Sequence, residues 1–465
     1  MWLMLQVALA GTPVPAHVEA ARSRVDWRIA GDEAVALLSD YLRVDTINPP
    51  GNEDAGVVFL GAALDREGIP WERIELAPGR SSLVARLTGT GAAPPLCLLH
   101  HIDVVGAEVE QWPAEAGPLS GAVIDGEVWG RGAVDMKGMG AIELLAFAWL
   151  KRLGVPLSRD VILLAVADEE VHNAGARQLA ERWSTLGCGE VLNEGGFGVK
   201  DALFDGQTVH AISVAEKGLL WVRMVAEGRA GHGSVPHPAE EAPARLLRAM
   251  EAIERARPSF VLVPAMEQLL EQAGAHRGGV AGLVLRSRPL VRALAWRRLK
   301  ANPTTRAAMH DTIHLTGFEG GAQPNVVPSR VSAVYDCRLM PGTTPDAMVL
   351  RLEELVRDVD GISFEVIDTG ESNGSPIDDP LYRAIEAYAV EGRPYAVAGP
   401  LLSVGYTDSL LLRPVGANAY GYIPFELTAE LAETAHGHGE RLPVDQVGEG
   451  LRRLFSIVVD VAGTP

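Results

Sequence analysis

The sequence predicts an α/β fold, a sheet with helices on its faces, interrupted by a smaller α+β insertion. Three observations predict it. From Asp32 onward, apolar runs of strand length alternate with helix-periodic segments, as in a sheet covered by helices. The character changes after Lys217, where a longer strand and a separate amphipathic helix follow. The αβ rhythm returns after Pro341-Gly342 and runs to Val459.

The elements follow in order. Glu33 to Arg43 has helical periodicity, and Ser82 to Thr88 reads as a strand. Pro95 to Ile102 and Val161 to Ala167 are apolar runs of strand length, with a helix from Gly140 to Leu153 between them. Arg177 to Leu186 reads as a helix and Glu190 to Asn193 as a short strand. In the insertion, Leu219 to Glu227 and Arg330 to Leu339 are strand-like. Glu240 to Arg255 is a helix with Leu246, Leu247 and Met250 on one side. The division is therefore a leader over 1–30, a main domain over 31–216 and 341–465, and an insertion over 217–340.

At 465 residues the chain is long enough for two or three domains, at about 100–200 residues each. A hydrophobic fraction of 47% with 22% charged residues fits a large core. The formal charge of -19 argues against nucleic acid or anionic membranes as partners. Against that background Val280 to Lys300, which holds Arg286, Arg288, Arg292, Arg297, Arg298 and Lys300, reads as a solvated helix face. Cys97, Cys188 and Cys337 are widely spaced without a C-x-x-C, which argues against a disulfide framework or a thiolate zinc site. Cys97 and Cys337 lie in apolar runs and read as buried thiols. Met1 to Ala10 is apolar and resembles a signal segment with a small-residue cleavage site near Ala16, but no Lys or Arg precedes it. Both a cytoplasmic and an exported protein are compatible with it. No other apolar stretch reaches the ~18–20 residues of a spanning helix.

Chemistry-bearing residues gather where this sheet would end its strands, the place open α/β sheets put ligands. Leu98-Leu99-His100-His101-Ile102-Asp103 places His101 and Asp103 on one face of a strand. A carboxylate so placed can orient a metal-bound imidazole. His100 faces the other way and reads as structural. Gly130-Arg131-Gly132-Ala133-Val134-Asp135-Met136-Lys137-Gly138 is a glycine-rich turn that opens a helix. Ala167-Asp168-Glu169-Glu170 crowds three carboxylates at a strand end, where they need cations or protons to coexist. Asn193-Glu194-Gly195-Gly196 and His436-Gly437-His438-Gly439-Glu440-Arg441 complete the set. Two histidines with several carboxylates are a donor mixture that suits zinc.

The ordered motifs H-x-D, G-R-G-x-x-D-M-K-G, D-E-E, N-E-G-G and H-G-x-x-E-R resemble the dinuclear-zinc metallopeptidase family of glutamate carboxypeptidase, carboxypeptidase S, aminoacylase, acetylornithine deacetylase and succinyl-diaminopimelate desuccinylase. Within the insertion Gly231-His232-Gly233-Ser234, Gly320 to Pro328 and Asp336-Cys337-Arg338 match as well, and so does Gly405-Tyr406-Thr407-Asp408-Ser409. The stretch leading into Gly320-Gly321 is most similar to carboxypeptidase S-like members. The resemblance implies a zinc-peptidase domain with helices on both faces of a mixed sheet, plus an inserted lid and dimerisation domain. It implies two zinc ions, with cobalt or manganese as alternatives. His101 and Glu194 would hold one, Glu170 and His436 the other, with Asp135 between them. Asp103 would orient His101, and Glu169 would be the general base. His232, donated across a homodimer, and Asn325 would steady an oxyanion, while Arg338 would grip a substrate carboxylate. His438 matches no ligand position, and the Asn193 replacement of Asp or Gly is expected to matter little. The resemblance also implies a cis Asp135–Met136 bond. The implied activity is hydrolysis of an amide next to a free carboxylate, in peptides or N-acyl amino acids. The alternatives are an N-acyl amino acid deacylase of the same family and a non-catalytic binding protein on the same fold.

Overall fold

A computed structural model describes residues 13–465. Most of the apolar leader, Met1 to Thr12, lies outside the described residues. The main sheet is mixed. Its strands run in the order Trp71–Ala77, Arg80–Leu87, Val161–Val166, Leu96–His101, Glu190–Asn193, Asn418–Gly421 and Thr208–Glu216, with Ala396–Ser403 parallel to the last. The middle of the sheet is parallel: Leu96–His101 runs alongside both Val161–Val166 and Glu190–Asn193. Parallel strands are buried on both faces, which is why these segments are continuous apolar runs rather than alternating ones.

One face is covered by Trp27–Leu42, Lys137–Leu153 and Val444–Ala462, whose Leu38, Phe147, Leu451 and Phe455 enter a single core. The other face is covered by Ala174–Glu181 and Trp183–Leu186. Part of the span expected as a leader, 16–30, joins this core through Val18, Ala21, Val25 and Ala30. Helix Ala16–Arg22 buries Val18 and Ala21 in it, and Arg22 is paired with Glu391 at 2.7 Å. The aliphatic spacing of that helix is too short to separate from a signal segment by sequence.

A second core lies in the insertion. Its antiparallel sheet runs Thr312–Glu319, Arg330–Leu339, Gly218–Glu227, Ile362–Gly370, covered by Ala242–Glu254 and Pro345–Val356. Leu246 is buried here but Leu247 faces solvent. The insertion therefore runs past the expected boundary at 340, because its fourth strand pairs with Gly218–Glu227 after the Pro345–Val356 helix. A second correction concerns Pro264–Ala301. Within the expected lid, helix Pro264–Arg277 instead packs on strand Ala396–Ser403 of the main sheet. Lys217 stands at the crossing between sheets. Its buried ammonium donates to the carbonyls of Ala307 at 3.0 Å and His310 at 2.8 Å.

Cys97 is bonded to Cys188 and only Cys337 is free. This overturns the reading of Cys97 as a free thiol. The two cysteines are 91 residues apart in sequence, but Cys97 and the strand that follows Cys188 are sheet neighbours. Spacing in sequence does not reveal such proximity.

Candidate metal centre

Three adjacent parallel strands end at the same edge of the sheet. Leu96–His101 delivers His101, Val161–Val166 leads into Asp168, Glu169 and Glu170, and Glu190–Asn193 leads into Glu194. Asp135 and His436 come from outside the sheet. A small antiparallel sheet pairs Arg441–Pro443 with Glu127–Trp129. It brings the loop before Arg441 against the loop after Trp129.

The five expected ligands meet. One Asp135 oxygen lies 3.1 Å from His101 Nε2 and the other 3.1 Å from His436 Nε2. Glu194 lies 3.7 Å from His101 Nε2, and Glu170 lies 3.2 Å from His436 Nε2. The Asp135–Met136 bond is cis. Ligand atoms of His101, Asp135 and Glu170, and of His101, Glu169 and Glu194, form groups compact enough to hold a cation. One carboxylate oxygen of Glu170 is buried with no hydrogen-bond partner among the described residues. Convergent imidazole and carboxylate donors, one of them orphaned, fit a pair of divalent ions of the zinc type.

The electrostatics fit the same purpose. Burial disfavours the His101 cation, but the hydrogen bond to Asp135 and the charges of Glu194 and Glu169 outweigh it and raise its pKa well above the imidazole range. Hydrogen bonds to Asp135 and Glu170 raise His436 to about 10. Burial would raise the Asp135 carboxyl, yet the two histidines hold it far below the carboxylate range. Glu169 and Glu194 are pushed well up, chiefly by burial and then by a neighbouring carboxylate, Glu194 and Asp135 respectively. Burial also raises Glu170.

Asp103 is placed differently from the expectation. His101 Nδ1 donates to the main-chain carbonyl of Asp103 at 2.8 Å, and the nearest Asp103 carboxylate oxygen is 3.8 Å away. The strand ends at His101, so the alternation that would aim the side chain at the ring stops there. The Asp103 carboxylate instead accepts from the backbone N–H groups of Glu169 and Glu170, both at 3.1 Å, and from Asn48 Nδ2 at 2.8 Å. It fixes the loop that carries the expected base and a ligand.

Other residues of the site gave less warning. The buried Glu440 carboxylate accepts from Arg131 at 2.8 Å and from the backbone N–H groups of Gly132 at 2.9 Å, Val134 at 2.8 Å and Asp135 at 3.0 Å. It holds the loop of the shared carboxylate, and its only sequence signal is its place in H-G-x-x-E-R. Asn173 donates to Asp408 at 3.0 Å and to Glu169 at 3.4 Å. Asp408 is fully buried and, mainly by burial, raised to about 7. Asn193, expected to matter little, donates to Ser409 at 3.0 Å and so anchors the Asp408 loop. Glu216 holds the same loop through Thr407 Oγ1 at 2.8 Å. His100 is the structural histidine expected: it is buried and bonded to Glu143 at 2.8 Å.

The insertion residues do not join this cluster within the chain. His232 and Asn325 come together on the exposed two-stranded ribbon Gly231–His232 and Val326–Val327. The Asn325 carbonyl there accepts from Gly233 N–H at 2.8 Å. His232 Nδ1 faces Ser234 Oγ at 2.8 Å. Arg338 is bidentate on Asp336, at 2.7 and 3.0 Å. Its remaining Nη1 is buried without a partner among the described residues.

A model of Peptidase family M20/M25/M40 matches residues 97–460. The rat Aminoacylase-1B is 29% identical over 443 residues, covering 93% of this chain and 96% of that protein. The human N-fatty-acyl-amino acid synthase/hydrolase PM20D1 is 27% identical, covering 78% and 73%. Among solved structures, the M20 family metallo-carboxypeptidase Sso-CP2 from Sulfolobus solfataricus superposes with a TM-score of 0.67 at 18% identity, covering 92% of this chain and 99% of that one. These structural likenesses bear on the fold alone.

Proposed function

The chain belongs to peptidase family M20/M25/M40 and is a metal-dependent amide hydrolase, and from that premise we propose that it uses two zinc ions to cleave an amide next to a free carboxylate. The observation that carries this reading is Asp135, whose two oxygens are shared between His101 and His436. His101 and Glu194 would hold one ion, His436 and Glu170 the other. When bound, such a pair supplies Lewis acidity toward water and toward the scissile carbonyl. Cobalt or manganese would serve the same donors.

The chain's own residues do the rest. Glu169 takes the proton of the attacking water at its carboxylate and returns it to the leaving nitrogen. Asp103 fixes its backbone and Asn173 its side chain. Arg338 offers its unpaired Nη1 to the substrate carboxylate, since a planar guanidinium suits that group. His232 and Asn325 would reach the oxyanion from the lid of a partner subunit in a homodimer.

The second reading is an N-acyl amino acid deacylase, favoured by the two named relatives. A panel of dipeptides, N-acetyl amino acids and long-chain N-acyl amino acids, offered to zinc-loaded and chelator-treated protein, separates the readings. Metal-restored cleavage of free-carboxylate substrates, lost when the carboxylate is amidated, is expected. Cleavage confined to acyl amino acids selects the deacylase. Turnover indifferent to the carboxylate or to the metal overturns the proposal.

A further inference from the structure

The charge of this chain is segregated. Between Gln272 and His310 lie eight Arg or Lys and no Asp or Glu, in a chain of formal charge -19. The segment folds as short helical pieces, Gly279–Leu285, Arg288–Leu290, Val291–Ala295 and Trp296–Ala301. Their inner side is apolar: Val291 and Leu299 join Leu262, Met266 and Leu270 in a local core. That core rests on the main sheet through helix Pro264–Arg277.

The outer side carries the solvated charges that the sequence implies, with Arg286, Arg288, Arg292, Arg297 and Arg298 exposed, and aliphatic side chains stand exposed among them. Val280 is 80% exposed, Leu283 62%, Leu290 40% and Leu294 68%. Val280 and Leu283 are three apart in one helix, and Leu290 and Leu294 are four apart, so each pair shares a face. Arginines interleave with them. Arg288 is tied to Glu267 at 2.7 Å. Among the described residues, Arg286, Arg292, Arg297 and Arg298 pair with no carboxylate.

We infer that this face docks on an anionic lipid surface. Charge complementarity and the aliphatic side chains choose the occupant together. A nucleic acid would pair with the guanidinium groups and leave four aliphatic chains without an apolar partner. A bilayer surface offers phosphates to the arginines and an acyl boundary to the aliphatic chains, which on such helices sink about 5–10 Å. The acidity of the whole chain does not prevent this. Salt screens charges beyond about 8 Å at physiological ionic strength, so an apposed bilayer meets the local cations. The segment lies outside the metal cluster, so the inference stands whether or not the proposed reaction does.

The test is co-sedimentation of the full chain with phosphatidylcholine vesicles, with and without phosphatidylglycerol. The wild type should bind only the anionic vesicles, and less as salt rises. Arg292→Gln with Arg297→Gln and Arg298→Gln should weaken binding on the order of 100-fold at low salt. Leu283→Ser with Leu294→Ser should weaken it too, and both variants should keep the wild-type melting temperature and amide-hydrolase activity on a soluble substrate. Equal binding to neutral and anionic vesicles overturns the inference, as does wild-type binding by both variants. A vesicle-independent self-association that the Leu283→Ser, Leu294→Ser protein loses would also overturn it, because the face would then be an interface between copies of this chain.

Discussion

His101 and His232 are the same side chain in opposite surroundings. His101 is buried, and each ring nitrogen is committed, one to the Asp103 carbonyl and one to Asp135. His232 is exposed on a two-stranded ribbon and faces only its neighbour Ser234. The first is fixed by three parallel strands that end together; the second is carried on an insertion with its own core. The difference teaches that the metal cluster is preorganised by the fold of one chain. The proposed contribution of His232 would arrive by closure or from a partner. Closing a lid excludes water and completes a constellation that an open form lacks.

Breaking the preorganised half should cost most. Glu169→Gln keeps the shape and removes the base, so kcat should fall by ~10²–10⁴ while zinc content by metal analysis stays at the wild-type level. Loss of zinc instead would move Glu169 into the ligand set. Breaking the half carried on the insertion should cost somewhat less: with His232 as the proposed oxyanion donor, His232→Ala should lower kcat by ~10²–10³. Mixed with Glu169→Gln chains under conditions of subunit exchange, it should regain activity, because one site of each mixed dimer has both groups. No recovery would mean that His232 acts within its own chain or not at all.

Glu440 sharpens the comparison by attacking preorganisation without changing any expected ligand side chain. Glu440→Gln disturbs four hydrogen bonds around the Asp135 loop. Residues that orient ligands in this way cost ~10–100-fold in metal affinity when changed, a loss readable by competition with a chromophoric chelator. The same substitution should leave His232 chemistry intact.

The smallest effect is on stability. Without metal, Glu169, Glu170 and Glu194 titrate above their ordinary range, and His436 rises to about 10. All four shifts make the folded state bind more protons than the unfolded chain, so their contribution falls as pH rises from the carboxylate range toward about 10. Asp135, lowered by its histidines, acts only at more acidic pH. Zinc bound at the proposed site would replace those protons. The melting-temperature gap between zinc-loaded and chelator-treated protein should therefore widen from pH 6 to pH 9, and a constant gap would contradict the electrostatic account.

Much of this was legible in the sequence. The strands that deliver His101, Glu169, Glu170 and Glu194 stand out because apolar runs end in charged residues, a local pattern, whereas Asp135 and His436 stand out only through the motifs that carry the resemblance. What escaped is tertiary. The Cys97–Cys188 bond joins neighbouring strands 91 residues apart. The Ile362–Gly370 strand reads as part of the main domain until its partner Gly218–Glu227 is known. Asp103 was expected to bond the His101 ring, but the chain leaves strand geometry after His101 and turns the carboxylate to the Glu169–Glu170 backbone. Exposure of Leu283 and Leu294 depends on which side of each short helix meets the core, and neither alternation nor charge count reveals that.

The most direct test of the central claim is the anomalous scattering of zinc in a crystal of the zinc-loaded protein. Two peaks about 3.5–4 Å apart, flanking the Asp135 carboxylate with His101 and Glu194 on one side and His436 and Glu170 on the other, are the predicted result. A single peak, or zinc seated instead among Glu53, Asp103 and Asp168, the other compact acidic group, would contradict the account.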